Sequence, residues 1–323
     1  MTTSDNPLAP RQVPTLYFVG VTTAQSSIMK VFPRWSAILG LGAEIVGYDA
    51  PIHAPDEVYR AIVRHIKEDP LSMGALVTTH KIDLLEATRD LFDYLDPYAR
   101  LCGEISCISK RDGQLRGHAK DPITSGLAWQ AFVRPGHWGR TGGHVLCLGA
   151  GGSAVAISVY VAGLPDPADR PRKFIAVNRT QSRLDTLRQI HQKLDTDIEF
   201  EYLLNEDPAT NDALMAALPP GSMVINATGM GKDRPGSPIT DNGVFPLHGL
   251  AWELNYRGEL DFLRQAERQA ASRDLTIEDG WVYFLHGWTQ VIAEVFDIDL
   301  TPELFARLEE AASELHPNRK RRP

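Results

Sequence analysis

Two sets of residues in this chain have types and spacings that could do chemistry, and the first is a glycine turn. Gly149-Ala150-Gly151-Gly152-Ser153-Ala154 follows the apolar run 145–148 and precedes a helical pattern from Ser153. A glycine turn between a buried strand and a helix lets the backbone approach a pyrophosphate, which the unpaired N–H groups of the helix N-terminus attract. The next strand, 174–177, runs out into Asn178-Arg179-Thr180, with Arg183 one helical turn further. At that place NAD-binding chains carry an acidic residue for the ribose 2′-hydroxyl, whereas a guanidinium grips a 2′-phosphate bidentately. The turn therefore predicts a dinucleotide site that takes NADP in preference to NAD.

The second set is a lysine and an aspartate. Lys81 closes Val77-Thr78-Thr79-His80-Lys81 at the end of an apolar run, and Asp121 closes Gly117-His118-Ala119-Lys120-Asp121. Oxidising a secondary alcohol by hydride transfer requires the hydroxyl proton to leave, and reducing the ketone requires its return. A lysine oriented by a carboxylate can exchange that proton and stabilise developing alkoxide charge. The two lie far apart in the chain, so spacing alone leaves two surface charges as the alternative.

The elements that must position these residues alternate. Apolar runs at 15–19, 44–48 and 74–79 read as strands, with helical stretches at 29–41, 55–67 and 82–95,. Residues 105–117 read as two short strands around Arg111-Asp112-Gly113-Gln114,. A helix near 123–133 leads into the glycine-rich segment 135–143, suited to a domain crossing,. Beyond it, strands at 145–148, 174–177, 199–203, 223–226 and 250–254 alternate with helices from 153, at 181–194 and at 259–271; helices at 280–296 and 302–315 follow. Alternation of this kind predicts mostly parallel sheets, and 323 residues are enough to divide into two cores,. The expected fold class is α/β with two domains and a cleft between them. A mostly parallel α/β domain would cover 1–122, a Rossmann NADP-binding domain 123–279, and C-terminal helices 280–323.

A formal net charge of −8 disfavours broad attraction to nucleic acid or an anionic membrane,. The basic run Arg319-Lys320-Arg321-Arg322 reads as a solvated tail,. Cys102, Cys107 and Cys147 lack metal-ligand spacing and fit a reduced compartment, so no metal site is expected,. Residues 1–14 lack the apolar stretch of a signal peptide, and no segment is long enough to span a membrane,. These readings fit a cytoplasmic monomer or homodimer.

From Gly20 to about Ile298 the chain resembles the shikimate dehydrogenase family. The resemblance rests on the glycine turn, on Asn178-Arg179-Thr180, and on Ile225-Asn226-Ala227-Thr228 with Gly229-Met230. It implies that Gly149, Ala150, Gly151, Gly152, Ser153, Ala154, Asn178, Arg179, Thr180, Arg183, Ala227, Thr228, Gly229, Met230 and Gly280 hold the cofactor. It also implies that Lys81 and Asp121 form the catalytic pair, and that Ser26, Thr78 and Tyr256 contact the substrate's carboxylate or hydroxyls.

The departures from the family pattern fall on substrate contacts. The family's second loop serine is Ile28 here, and its Asn-Val-Thr-x-Pro-x-Lys is one residue shorter, without the asparagine or proline. Ser106 stands for a substrate-binding asparagine, Ala119-Lys120 for an Asn-Thr pair, and Gly287 for a glutamine, with His286 and Gln290 as nearby candidates. Lys120 either meets a substrate carboxylate or points to solvent; His80 either hydrogen-bonds substrate or holds its loop. A pocket changed at its polar contacts accepts a different ligand. The resemblance implies an NADP-dependent oxidoreductase that interconverts a secondary alcohol and a ketone on a polyhydroxylated ring such as shikimate, quinate or a related cyclic polyol. Two alternatives stand beside it: a catalytically silent NADPH-binding regulatory protein, and a dehydrogenase of a non-carboxylated (amino)cyclitol.

Overall fold

The computed structural model describes residues 6–232 and 234–317, and the basic run at 319–322 lies outside the described residues. The chain forms two compact units. One is built from the residues up to Lys120 together with those from Gly287 on, the other from Asp121 to His286.

The first unit begins with β1 (Thr15–Gly20), α1 (Ile28–Leu39), β2 (Glu44–Asp49), α2 (Asp56–Glu68), β3 (Ser72–Val77) and α3 (Lys81–Thr88). Then come β4 (Tyr94–Leu95), α4 (Pro97–Cys102), β5 (Cys107–Arg111) and β6 (Gln114–His118). The sheet order is β2-β1-β3-β5-β6-β4. β1 runs parallel to β2 and β3, while β5 pairs antiparallel with β3 and β6. Asp112 and Gly113 turn the hairpin at φ 54° and 74°, the pair of positive angles that a two-residue type I′ turn requires,.

Two expectations in this unit are corrected. The helix expected over 82–95 stops at Thr88, and Tyr94–Leu95 pair in parallel with β6. Asp96 then starts a new helix, its carboxylate accepting the Ala99 N–H at 2.6 Å with Pro97 in the first turn. An acceptor followed by proline is a helix start, and the apolar pattern running through it hid the break. The strand expected to reach Thr79 ends at Val77, because Thr79 sits at φ 63°, outside the extended region,.

The second unit contains α5 (Asp121–Gln130), α6 (His137–Thr141), β7 (His144–Leu148), α7 (Gly152–Ala162), β8 (Lys173–Asn178), α8 (Gln181–His191) and β9 (Glu199–Leu204). It continues through α9 (Pro208–Ala216), β10 (Met223–Asn226), β11 (Leu250–Glu253), α10 (Asp261–Glu267), α11 (Ala270–Arg273) and β12 (Thr276–Glu278). Its sheet order is β12-β11-β10-β7-β8-β9, and every neighbouring pair is parallel. This is the doubly wound order, with the chain reversing direction between β7 and β10. Residues 135–143, read as a domain crossing, fold inside this unit around α6; the break between units falls at Lys120 and Asp121. α9 and β12 were not expected, both being short and without a periodic apolar pattern. α12 (Trp281–Phe296) starts in this unit and ends in the first, where α13 (Pro302–Ser313) follows.

Each unit has its own core. Tyr17, Val19, Tyr59, Ile62, Ile66, Val77 and Leu84 fill the first; Leu146, Leu148, Val224, Phe245 and Phe262 fill the second. Among the described residues no helix is long and apolar enough to cross a membrane. In the first unit α1 packs on α13 through Trp35, which is fully buried and donates its Nε1–H to the Leu308 carbonyl at 2.7 Å. Trp35→Ala removes that bond and opens a large cavity, so a loss of about 3–5 kcal/mol is expected in urea unfolding followed by circular dichroism. A loss under about 1 kcal/mol would show that α13 does not depend on this contact.

Candidate functional site

Loops leaving the carboxyl ends of the second sheet carry most of the residues expected to hold a cofactor. Gly149 turns the chain at φ 123°, and a Cβ there would lie 2.5 Å from the Ala227 carbonyl oxygen,. Its N–H donates to the Val177 carbonyl at 2.7 Å, and the Ala227 N–H donates to the Leu148 carbonyl at 2.8 Å, so the turn is stitched to both neighbouring strands. Gly149 is thus a requirement of the fold. Gly151 differs, because a Cβ added there would meet no heavy atom within 4 Å, and no side chain caps α7. An uncapped helix start with room beside it suits an anion such as a pyrophosphate.

At the end of β8, Asn178 Oδ1 accepts the Thr180 N–H at 2.9 Å and shapes the turn. Arg179 and Arg183 are both exposed, and among the described residues neither has an ion-pair partner. At the end of β10, Thr228 donates both its N–H and its hydroxyl to Asn226 Oδ1, and its Oγ accepts the Met230 N–H at 3.1 Å. The Tyr256 ring packs on Trp281 and Phe284, with centroids at 5.5 and 4.6 Å. Burial pushes the His286 imidazole down to about 4, so it is neutral at physiological pH,.

In the first unit, Ser26 is half-buried after β1, and Thr78 is held to the end of β1 by its N–H bond to the Val19 carbonyl at 2.9 Å. Thr79 at φ 63° and the His80 N–H bond to the Thr78 carbonyl at 2.6 Å reverse the chain, so that α3 starts at Lys81. A β-branched residue in the left-handed region costs about 1–3 kcal/mol and persists only where its surroundings fix it. His80 is buried, with Nδ1 3.2 Å from the Tyr59 hydroxyl. Lys81 and Asp121 are both half-buried, each opening a helix, Lys81 in the first unit and Asp121 in the second.

No family model matches the chain. A shikimate dehydrogenase (NADP(+)) from Symbiobacterium thermophilum is 27% identical over 256 residues, which cover 78% of this chain and 80% of that protein. The chain is similar to the shikimate dehydrogenases, at an identity that fits a divergent relative. Among solved structures, the shikimate 5-dehydrogenase of Listeria monocytogenes in complex with shikimate and NAD has a TM-score of 0.70 at 18% identity, covering 94% of this chain and 98% of that one. The ligand-free 5-ketofructose reductase of Gluconobacter sp. strain CHM43 has a TM-score of 0.68 at 21% identity, covering 93% and 98%. At these identities the structural likeness is one of fold.

In the first unit, residues expected to contact substrate bond to one another and to nearby polar groups. Lys120 Nζ donates to Glu294 Oε2 at 2.6 Å, and the two side chains are only 13% and 18% exposed. Ser106 is buried, and its hydroxyl oxygen accepts the Lys120 N–H at 2.8 Å. His118 Nε2 lies 3.0 Å from Ser109 Oγ and 3.4 Å from Glu294 Oε1. Ile28 is fully buried, and Gly287 leaves open space where a Cβ would stand. Gln290 is half-buried one turn before Glu294, and Gly287 lies two turns before it, on the same helix face,.

Glu294 was missed in the sequence, where the only signal was an acid seven residues after Gly287 on a helix read as apolar. Burial pushes its carboxyl up, but the Lys120 bond and the charges of His118, Lys120 and Arg111 outweigh this and hold it below the ordinary range. A depressed carboxyl contributes stability above its unfolded value, lost as pH falls through its folded value. Lys120→Met is therefore expected to cost about 1–3 kcal/mol at neutral pH, and the difference from the native chain should shrink in the acid range as Glu294 protonates. Urea unfolding at pH 7 and pH 4 checks this; an equal cost at both would mean the contact is packing rather than an ion pair.

Proposed function

We propose that the chain is an NADP-dependent oxidoreductase that interconverts a secondary alcohol and a ketone on a polyhydroxylated compound. The observation that carries this reading is the glycine turn, where Gly149 is locked by the fold while Gly151 leaves room at an uncapped helix start, with Arg179 and Arg183 exposed beyond β8. The first N–H groups of α7 bind the pyrophosphate, and the two guanidiniums bind the 2′-phosphate, where a carboxylate would repel it. Thr228, Gly229 and Met230 would hold the nicotinamide half. A cofactor held there would supply or take the hydride.

Proton exchange falls to Lys81 and Asp121. In ketone reduction the Lys81 ammonium gives a proton to the developing alkoxide, and in alcohol oxidation the amine takes it from the hydroxyl. Asp121 is the second member of the proposed pair. The first unit binds the substrate and the second the cofactor. The relative from Symbiobacterium thermophilum is named for NADP(+) and shikimate, and a 5-ketofructose reductase shares the fold, so the fold serves more than one polyol.

One observation favours ligands without a carboxylate. Ile28 is buried where the family carries a hydroxyl, and the Lys120 charge is neutralised by Glu294. A carboxylate loses one donor and gains no new cation.

Assays with NADPH and NADH on cyclic and open-chain keto-polyols, with and without a carboxyl group, test the reading. Turnover is expected with NADPH and a carboxyl-free ligand. NADPH binding without hydride transfer to any of them would favour the silent, regulatory alternative. Replacing both Arg179 and Arg183 by alanine should weaken NADPH binding about 10- to 100-fold and leave NADH unchanged, as removal of charge-assisted phosphate bonds predicts. Lys81→Met should lower kcat by about 10²–10⁴ while NADPH still binds, and unchanged turnover would remove Lys81 from the mechanism.

A further inference from the structure

β11 ends in Glu253, a fully buried carboxyl on a strand flanked by β10 and β12. A carboxyl in such a place is strongly disfavoured unless its oxygens are bonded. Three donors meet it. Oε1 accepts the Asn255 N–H at 2.8 Å and Asn255 Nδ2–H at 2.6 Å, and Oε2 accepts Asn226 Nδ2–H at 2.7 Å. Burial pushes the carboxyl up to about 8, with the Asp279 charge adding to it, while these donors pull the other way.

Both asparagines then reach the same atom. Asn226 Nδ2 lies 3.3 Å and Asn255 Nδ2 3.2 Å from the Met230 carbonyl oxygen. The opposite end of the Asn226 amide, Oδ1, takes the N–H and hydroxyl of Thr228 at 3.1 and 2.7 Å. The Met230 carbonyl oxygen only accepts, and so does Glu253 in its charged form, so each amide presents its NH2 to both,. Turning either amide over would set oxygen against oxygen, both at Glu253 and at Met230. Glu253 therefore decides which way Asn226 faces, and Asn226 decides where Thr228 and Met230 sit.

We propose that Glu253 is the positioning residue of the 228–230 loop, holding it in the shape that receives the nicotinamide half of the cofactor. The inference rests on the reading of the chain as an NADP-dependent oxidoreductase, which puts that loop against the nicotinamide. Glu253 itself touches no part of the cofactor; it acts through Asn226 and Asn255.

The test separates the two ends of the ligand. The probe 2′,5′-ADP carries only the half that Arg179 and Arg183 bind, whereas NADPH adds the nicotinamide half. Glu253→Gln keeps the size of the side chain but sets an NH2 against one of the asparagine NH2 groups, releasing its orientation. In titration calorimetry its affinity for 2′,5′-ADP should stay within about twofold of the native chain, while its affinity for NADPH falls about tenfold, as expected for losing one buried hydrogen bond. The change in nicotinamide fluorescence on binding should shrink as well. Retained binding of 2′,5′-ADP also reports that the second unit is folded. Unchanged NADPH affinity and fluorescence with 2′,5′-ADP binding intact overturn the inference and leave the functional reading standing. If Glu253→Gln no longer binds 2′,5′-ADP, Asn255→Ala decides by the same comparison, since it removes one of the two amides and leaves the carboxyl in place. A native chain that binds neither probe overturns the functional reading, and this inference with it.

Discussion

Parallel pairing obliges every strand of the second sheet to hand the chain on at the same edge. All six strands end there, so Gly149, Asn178, Asn226 and Glu253 stand at or just beyond the ends of neighbouring strands although they are far apart in sequence. Interior strands have their backbone groups satisfied by the ladder, which leaves the loops and the first turn of α7 as the places where donors remain available. The rest of the candidate site depends on this. Gly149 is pinned between β8 and β10 by backbone bonds, and that pinning aims an uncapped helix start at the space beside Gly151.

Two carboxyls, one half-buried and one fully buried, show how differently the units handle charge. Glu294 meets an ammonium, with an imidazole beside it, and titrates below the ordinary range; Glu253 meets amide and backbone donors and is pushed above it. A cation returns by direct attraction much of what desolvation takes away, whereas neutral donors return less. The consequence is a division of labour. In the first unit the ion pair neutralises both charges, and in the second the carboxyl arranges neutral groups around a loop.

Much of the architecture was legible because strands and helices leave periodic apolar patterns and because glycines mark backbone that no other residue can follow. The strand ahead of Gly149 and the hairpin around Asp112-Gly113 are of that kind, being decided by residues a few positions apart. What misled was also local. The apolar pattern through 82–95 masked the helix start at Asp96-Pro97, and a threonine in the left-handed region gives no sign of itself in the sequence.

Lys120 and Glu253 mark the other boundary. The sequence presented Lys120 as a cation near a candidate aspartate, open to a ligand or to water, and Glu253 as one acid in an apolar strand. Which groups face them is settled by α12 bringing Glu294 to the end of β6, and by the sheet order that sets β10 beside β11. The sequence by itself determined the strand and helix pattern and the glycine turn, since these follow from backbone sterics and local periodicity. Only the tertiary structure decided which polar groups satisfy one another, because a buried charge is answered by whatever the fold brings within hydrogen-bonding distance, however far away it lies in the chain.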